Sequence, residues 1–343
     1  MDIVALLCLL FIFFNIEYPR RNKSFCSDAM KKERTNALKG FAAILIILGH
    51  LGLTVHSGIT LPILKQTGMF VVTIFFALSG YGLVLSYKSA DCSLPGYWKK
   101  RLLTVVLPYA VFTMIYIIIR SAAGEDVGLK AVALSFVNGT PMVKYSWFVE
   151  VIIVCYAAFW LSAKAAKDDI GFMCFLMTVF TVAFFLVMKK LNYESFWYNT
   201  VLSFVIGMLW AHKNKEIADA LNKHLLMYIL GIALMFVCIV YCTRVLWWWG
   251  DLGETLVTTV FVVLVLMLQY LVPAKSNAAT KFIGDISFEM YMSHGAFIML
   301  LWPLPFFKAN PIVFGIAVYA GAIIMAWLMH LVIEAIKKPL TKK

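Results

Sequence analysis

Charge is what this chain most lacks. Asp, Glu, Lys and Arg make up 14% of its 343 residues, against about 25% in an ordinary soluble domain, which excludes a water-soluble globule. No stretch is long enough for an appended soluble domain either, since the longest connections between apolar runs are residues 88–102 and 121–145. The seven cysteines form no CxxC pair and no zinc-type spacing with histidine, and most sit inside apolar runs as small hydrophobes. That predicts no disulfide framework and no metal site. There is no phosphate-binding loop, dinucleotide fingerprint or internal repeat. The first apolar run, Asp2 to Ile16, lacks the basic leader and small-residue cleavage site of a signal peptide.

Apolar length is what the chain has in abundance: 62% of its residues are hydrophobic and 15% aromatic. Runs of about 20 apolar residues are long enough to cross a bilayer, where the backbone must be helix or closed barrel. These runs do not alternate, so the expected fold is an all-α integral membrane protein. Ten core runs fall at 37–56, 67–87, 103–120, 146–163, 170–188, 196–211, 224–243, 254–272, 282–301 and 310–335. They predict a bundle of ten core transmembrane helices plus one N-terminal extra helix. The boundaries expected are an anchor helix and basic cytoplasmic linker over 1–36, a transmembrane domain over 37–336 and a basic cytoplasmic tail over 337–343.

The net charge of +12 does not point to nucleic acid, because the basic residues sit in short loops where they set topology. Arg20, Arg21 and Lys23 follow the first run. With that loop inside, 21 Lys and Arg fall on the inner side and 8 on the outer. The expectation is a multi-pass protein of the cell membrane with a cytoplasmic C-terminus.

Lys39 and His50 bracket the first core run, Lys39-Gly40-Phe41-Ala42-Ala43-Ile44-Leu45-Ile46-Ile47-Leu48-Gly49-His50. Eleven residues at about 100° each bring them within about 20° on one helix face, about 16 Å apart. An ionisable group that deep in an apolar helix is costly and is a functional candidate; the alternative is a histidine that merely bonds a neighbouring helix. The orientation set by loop charge puts Lys39 at the cytoplasmic mouth and His50 past the midplane, towards the outer half.

Four further sets carry polar groups. Ser79 lies in Phe75-Phe76-Ala77-Leu78-Ser79-Gly80-Tyr81, where small residues suit close packing. Arg101 closes the basic cluster Tyr97-Trp98-Lys99-Lys100-Arg101, readable as a headgroup anchor or as a phosphate site. Glu150 follows Ser146-Trp147-Phe148 near the outer end of its run, facing either the bundle or the headgroups. Ser287, Tyr291 and His294 share one helix face at i, i+4 and i+7. His56, His212, His224 and His330 lie near helix ends and read as interfacial.

Together these segments resemble the membrane-bound acyltransferase-3 family of surface-glycan O-acyltransferases, over most of the chain after residue 35. Leu38-Lys39-Gly40 through Gly49-His50 is similar to its first-helix arginine-to-histidine motif, and Phe75 to Tyr81 to its FF-LSG block. Lys100-Arg101 with Leu107-Pro108-Tyr109 is similar to its basic-to-proline block, and Ile286-Ser287-Phe288 with Tyr291 and His294 to its closing block. The ten core helices agree with the family's count. Lys39 stands where the family usually has arginine, Thr104 where a second arginine is common, and Phe288 where tyrosine is frequent. Glu150 does not coincide with the acidic pair some members carry.

The resemblance implies transfer of an acyl group, most commonly acetyl, from cytoplasmic acyl-CoA to a hydroxyl of an envelope glycan or other exported or membrane-linked acceptor. It implies no bound cofactor, with acyl-CoA as donor substrate. His50 would act as general base or relay the acyl group, Lys39 and Arg101 would hold the donor, and Ser79, Tyr291 and His294 would line the cavity or donate to the oxyanion. Glu150 is a further cavity candidate by its own position, with no role carried over from the resemblance. The alternative is a transporter or flippase for a glycan or lipid precursor, for which the paired broken helices of repeated halves are missing from the sequence pattern.

Overall fold

The computed structural model describes residues 1–18, 28–55, 67–125, 127–245 and 250–341. Arg20, Arg21, Lys23 and His56, together with Lys342 and Lys343 of the predicted tail, lie outside them. Among the described residues the chain is all-helical, with one isolated bridge between Ile16 and Ala274. In order the helices are α1 Asp2–Phe14, α2 Lys32–Thr54, α3 Thr67–Lys88, α4 Tyr97–Ala122, α5 Leu129–Val137, α6 Trp147–Ala166, α7 Ile170–Lys190 and α8 Leu202–His212. They continue with α9 Asn214–Lys223, α10 Leu225–Val245, α11 Gly250–Leu271, α12 Ala278–Asp285, α13 Ser287–Leu301, α14 Pro305–Ala309 and α15 Pro311–Thr341.

Seven of these are long and apolar enough to cross a membrane: α2, α3, α4, α6, α7, α11 and α15. An eighth joins them if Asn214–Leu221 and Leu225–Ile239, bent by 106°, count as one broken span. Each of the ten apolar runs carries helix, but two of them are shorter than a span for local reasons. The run at 196–211 opens as a 3₁₀ turn at Ser195–Trp197, leaving α8 only 11 residues. The run at 282–301 breaks at Ile286, where the Ser287 hydroxyl turns back to the Gly284 carbonyl (2.8 Å).

α2 is the most enclosed of the spans. Its neighbours approach at glycines: a Cβ on Gly284 would lie 2.4 Å from the Asn36 carbonyl oxygen, so α12 meets α2 backbone to backbone. Asn36 Nδ2 donates to Asp285 Oδ1 (2.8 Å) and Tyr319 Oη to the Ile44 carbonyl (2.7 Å), fastening α12 and α15 to α2. On the other side α3 crosses α8 at Gly80 and Gly207, whose added Cβ atoms would stand 2.1 and 1.9 Å from the carbonyls of Phe204 and Ala77. α1 packs on α2 through the edge-on pair Phe11 and Phe41 (6.2 Å), and Met1 abuts Gly315 of α15.

α4 carries a wide turn of π-helix at Leu102–Val106, in which Leu107 N bonds the carbonyl five residues back. Pro108 has no N–H for the Thr104 carbonyl, and the wider turn takes up that loss. Helix also extends back to Tyr97, so the predicted basic cluster sits on α4 itself rather than in a loop.

Two register facts organise the interior. α13 runs alongside α2 in the same direction, because Asp285 meets Asn36 and His294 meets His50. α3 begins level with the other end of α2, where Gly68 faces His50. Ser79 is 11 residues along α3 from Gly68, as Lys39 is from His50 along α2, so Ser79 and Lys39 come level at about 16 Å from the histidine.

Candidate functional site

The deep end of α2 is built around two imidazoles. His50 Nδ1 and His294 Nε2 are 2.7 Å apart, with ring planes within 2° of each other and centroids at 4.9 Å. The short nitrogen separation with wide centroids means the rings meet edge to edge in one plane. His294 is wholly buried, and its Nδ1 faces the Met290 carbonyl at 3.3 Å. A carbonyl only accepts, so His294 carries its proton on Nδ1 and its Nε2 accepts from His50 Nδ1–H. This leaves the lone pair of His50 on Nε2, the atom turned towards Gly68; a Cβ there would stand 3.9 Å away. The pair therefore presents one basic nitrogen to the space beside α3.

Tyr145 lies flat on His50, with ring centroids 4.0 Å apart and planes within 9°. Its backbone is in the left-handed region, φ 69°, which is costly for a side chain with a Cβ. The Tyr291 hydroxyl donates to its carbonyl, and Lys144 Nζ stands 5.2 Å over its ring. Close approach of this segment depends on Gly295 of α13, where a Cβ would lie 2.8 Å from the Lys144 carbonyl oxygen. Tyr145 and Lys144 carry no sequence signal of their own: they stand in the connection before α6, and only the tertiary structure brings them to His50.

Glu150 stands in the first turn of α6 and takes the bundle-facing one of its two expected orientations. Tyr109 Oη donates to Glu150 Oε1 (2.7 Å), and Tyr109 is the thirteenth residue of the 26-residue α4. Glu150 thus sits near mid-span and away from the headgroups. The reason is that Met142, Val143 and Ser146 are already buried, so α6 starts inside the bundle. The carboxylate lies one layer behind Tyr291 and does not reach the imidazole pair.

The shallow end of α2 looks quite different. Lys39 is half-buried and makes no hydrogen bond or ion pair among the described residues, while Arg101 and Lys32 lie within electrostatic reach. The Arg101 guanidinium stacks over Tyr97 and Tyr156, 5.7 and 5.1 Å from their centroids, and its buried Nε has no hydrogen-bond partner among the described residues. Ser79, level with Lys39, is likewise without a partner among the described residues. Stacked arginine plus uncompensated lysine is an arrangement suited to phosphate or carboxylate.

His330, read as interfacial, has a partner the sequence did not show. Its Nδ1 lies 3.1 Å from Glu289 Oε1, on a carboxylate whose side chain is 5% exposed. Their pairing across α13 and α15 carries no sequence signal.

No curated protein and no solved structure matches this chain. The family model described as an acyltransferase domain does, over residues 33–331. That match takes in α2 and most of α15, including both ends of the Lys39–His50 face and the histidine supplied by α13. With well over half its length matched, the chain belongs to the acyltransferase-3 family and is an acyltransferase carrying membrane-spanning helices.

Proposed function

We propose that the protein transfers an acetyl group from cytoplasmic acetyl-CoA to a hydroxyl of an exported or membrane-linked saccharide, with His50 as general base. The observation that carries this is the 2.7 Å contact of His50 Nδ1 with His294 Nε2, which, with the Met290 carbonyl on His294 Nδ1, assigns the free lone pair of His50 to Nε2. In the step, the acceptor O–H gives its proton to His50 Nε2 as its oxygen attacks the thioester carbonyl. Collapse of the tetrahedral intermediate breaks the C–S bond, and the imidazolium returns the proton to the departing CoA sulfur, so the base is regenerated. His294 holds the imidazole in orientation and accepts part of the developing charge through Nε2, as the third member of a triad does.

Lys39 and Arg101 hold CoA phosphate oxygens, and Ser79, level with Lys39, lines the passage between them and His50. Tyr291 fixes Tyr145 through its carbonyl, and Tyr145 clamps the imidazole plane. Loop charge supports an orientation with the Lys39 end and the C-terminus in the cytoplasm, where acyl-CoA resides. The remaining apolar helices α8, α10 and α13 complete a ten-span core on this reading, and the cell membrane is its location.

The test is direct. Membrane vesicles bearing the protein are supplied with acetyl-labelled CoA, and alkali-labile label is followed into saccharide. The expected result is label that requires the protein and disappears in His50→Ala at equal membrane abundance. Undiminished label in that variant overturns the assignment of the base.

A further inference from the structure

Behind the imidazole pair, between α4 and α6, lies a cavity of about 550 Å³ that the transfer reaction does not use. Tyr109, Ala110, Met114, Phe136 and Ile153 form most of its wall, and Glu150 is its one charged side chain. Thr113, also in the wall, spends its hydroxyl on the Tyr109 carbonyl (2.8 Å). The opening is sideways. Met114 and Phe136 are 65% and 45% exposed, and Met114 belongs to a stripe with Leu102 and Ile118 that α4 turns outward. On a membrane-spanning helix that stripe faces lipid.

Three observations limit what fits. The wall is apolar and the volume is within the range of small-molecule sites, so the occupant has an apolar body. Glu150 Oε1 accepts from the Tyr109 hydroxyl but Oε2 has no partner among the described residues, and a carboxyl group at mid-span needs a donor. The level of Tyr109, midway along α4, is about 20 Å from either helix end, out of reach of the ionic headgroups of bilayer lipids. A charged head is excluded by depth and an anionic one also by Glu150. A neutral hydroxyl remains.

The geometry points to a lateral binding site for a long-chain alcohol, an alkyl or isoprenyl chain entering past Met114 and Phe136 with its hydroxyl donating to Glu150 Oε2. The site goes beyond the acyl-transfer reading and stands without it. Its polar end lies one layer from Tyr291, which hydrogen-bonds the Tyr145 carbonyl beside His50.

The experiment is photolabelling of the full chain in lipid nanodiscs with a long-chain alcohol carrying a diazirine along its chain. Labelled peptides are mapped by mass spectrometry, with unlabelled alcohol, its methyl ether and the matching alkane as competitors. The expected label falls on α4, α5 and α6 around Met114, Phe136 and Ile153. The alcohol should compete about tenfold better than the ether, the size of one hydrogen bond to a carboxylate.

Ala110→Trp fills the cavity and should remove the label, whereas Leu102→Trp, on the same stripe outside the cavity, should leave it. Glu150→Leu should keep the label and erase the preference for alcohol over ether. Label spread evenly over all exposed flanks, label that survives Ala110→Trp, or equal competition by ether and alcohol in the unaltered chain overturns the proposal. Repeating the labelling in His50→Ala, where the same pattern is expected, separates this site from the transfer reaction.

Discussion

The two ends of α2 are built on opposite principles. At the deep end the ring and hydroxyl groups hold one another in place: His50 has His294, His294 has the Met290 carbonyl, and Tyr291 has the Tyr145 carbonyl. At the shallow end Lys39, Ser79 and the Arg101 Nε have none among the described residues. Preorganised polar groups that need no rearrangement are what stabilise a developing charge. Unpaired cations gathered beside aromatic rings are what receive a ligand's anion. On the proposed reading, the contrast separates chemistry from donor recognition along one helix face, about 16 Å apart.

The sharpest way to break that separation is at His50. His50→Gln keeps a hydrogen-bonding side chain but removes the base, and should lower kcat by about 10²–10⁴-fold. Acetyl-CoA binding, followed by calorimetry on purified protein, should not change. A variant that loses donor binding together with turnover would merge the two ends into one site.

His294 should come next in size. Removing the group that orients a functional imidazole costs about 10- to 100-fold, so His294→Leu is expected to reduce kcat in that range while KM for acetyl-CoA holds. His294→Gln, which offers an acceptor to His50 Nδ1–H, should recover part of the loss. Equal activity of the leucine and glutamine variants would mean that His294 only fills space.

At the shallow end the expected signature is reversed. Lys39→Ala should raise KM for acetyl-CoA about tenfold, the worth of one charge-assisted hydrogen bond, with kcat nearly unchanged. Lys39→Arg should behave as the parent, and raising the salt concentration should weaken the parent more than the alanine variant. A fall in kcat without a change in KM would place Lys39 with the chemistry.

These ends were not equally legible. The Lys39–His50 face follows from helix periodicity alone, because eleven residues is close to three turns and the run between is unbroken. Ser287, Tyr291 and His294 were readable as one stripe for the same reason, although that did not show the Ser287 hydroxyl turning back to the Gly284 carbonyl at the break. Periodicity says nothing about where a chain enters the bundle, so the start of α6 inside the core hid the depth of Glu150 and the arrival of Tyr145 on His50. Nor does it pair residues on different helices, so the contact of Glu289 with His330 was out of reach. Span length fared worst where local turns intervene, at Ile286 and at Ser195–Trp197, since apolar composition persists through breaks made by side-chain hydrogen bonds and 3₁₀ turns.

The smallest effect is expected at Tyr145, and it tests whether the deep end is held by stacking or by hydroxyl bonding. Its ring lies 4.0 Å from His50, while its hydroxyl stands beside the Thr54 side chain. Tyr145→Phe keeps the stack and loses one neutral hydrogen bond, so kcat should stay within about threefold and stability should fall by about 1 kcal/mol. Tyr145→Leu keeps bulk but not the flat surface, leaving the His50 plane fixed only through Nδ1, and should be slower than the phenylalanine variant by several-fold. The backbone at this position is left-handed, so the chain already bears a cost for holding the ring there. If leucine and phenylalanine prove equivalent, that strain serves packing alone and the imidazole plane is set by His294.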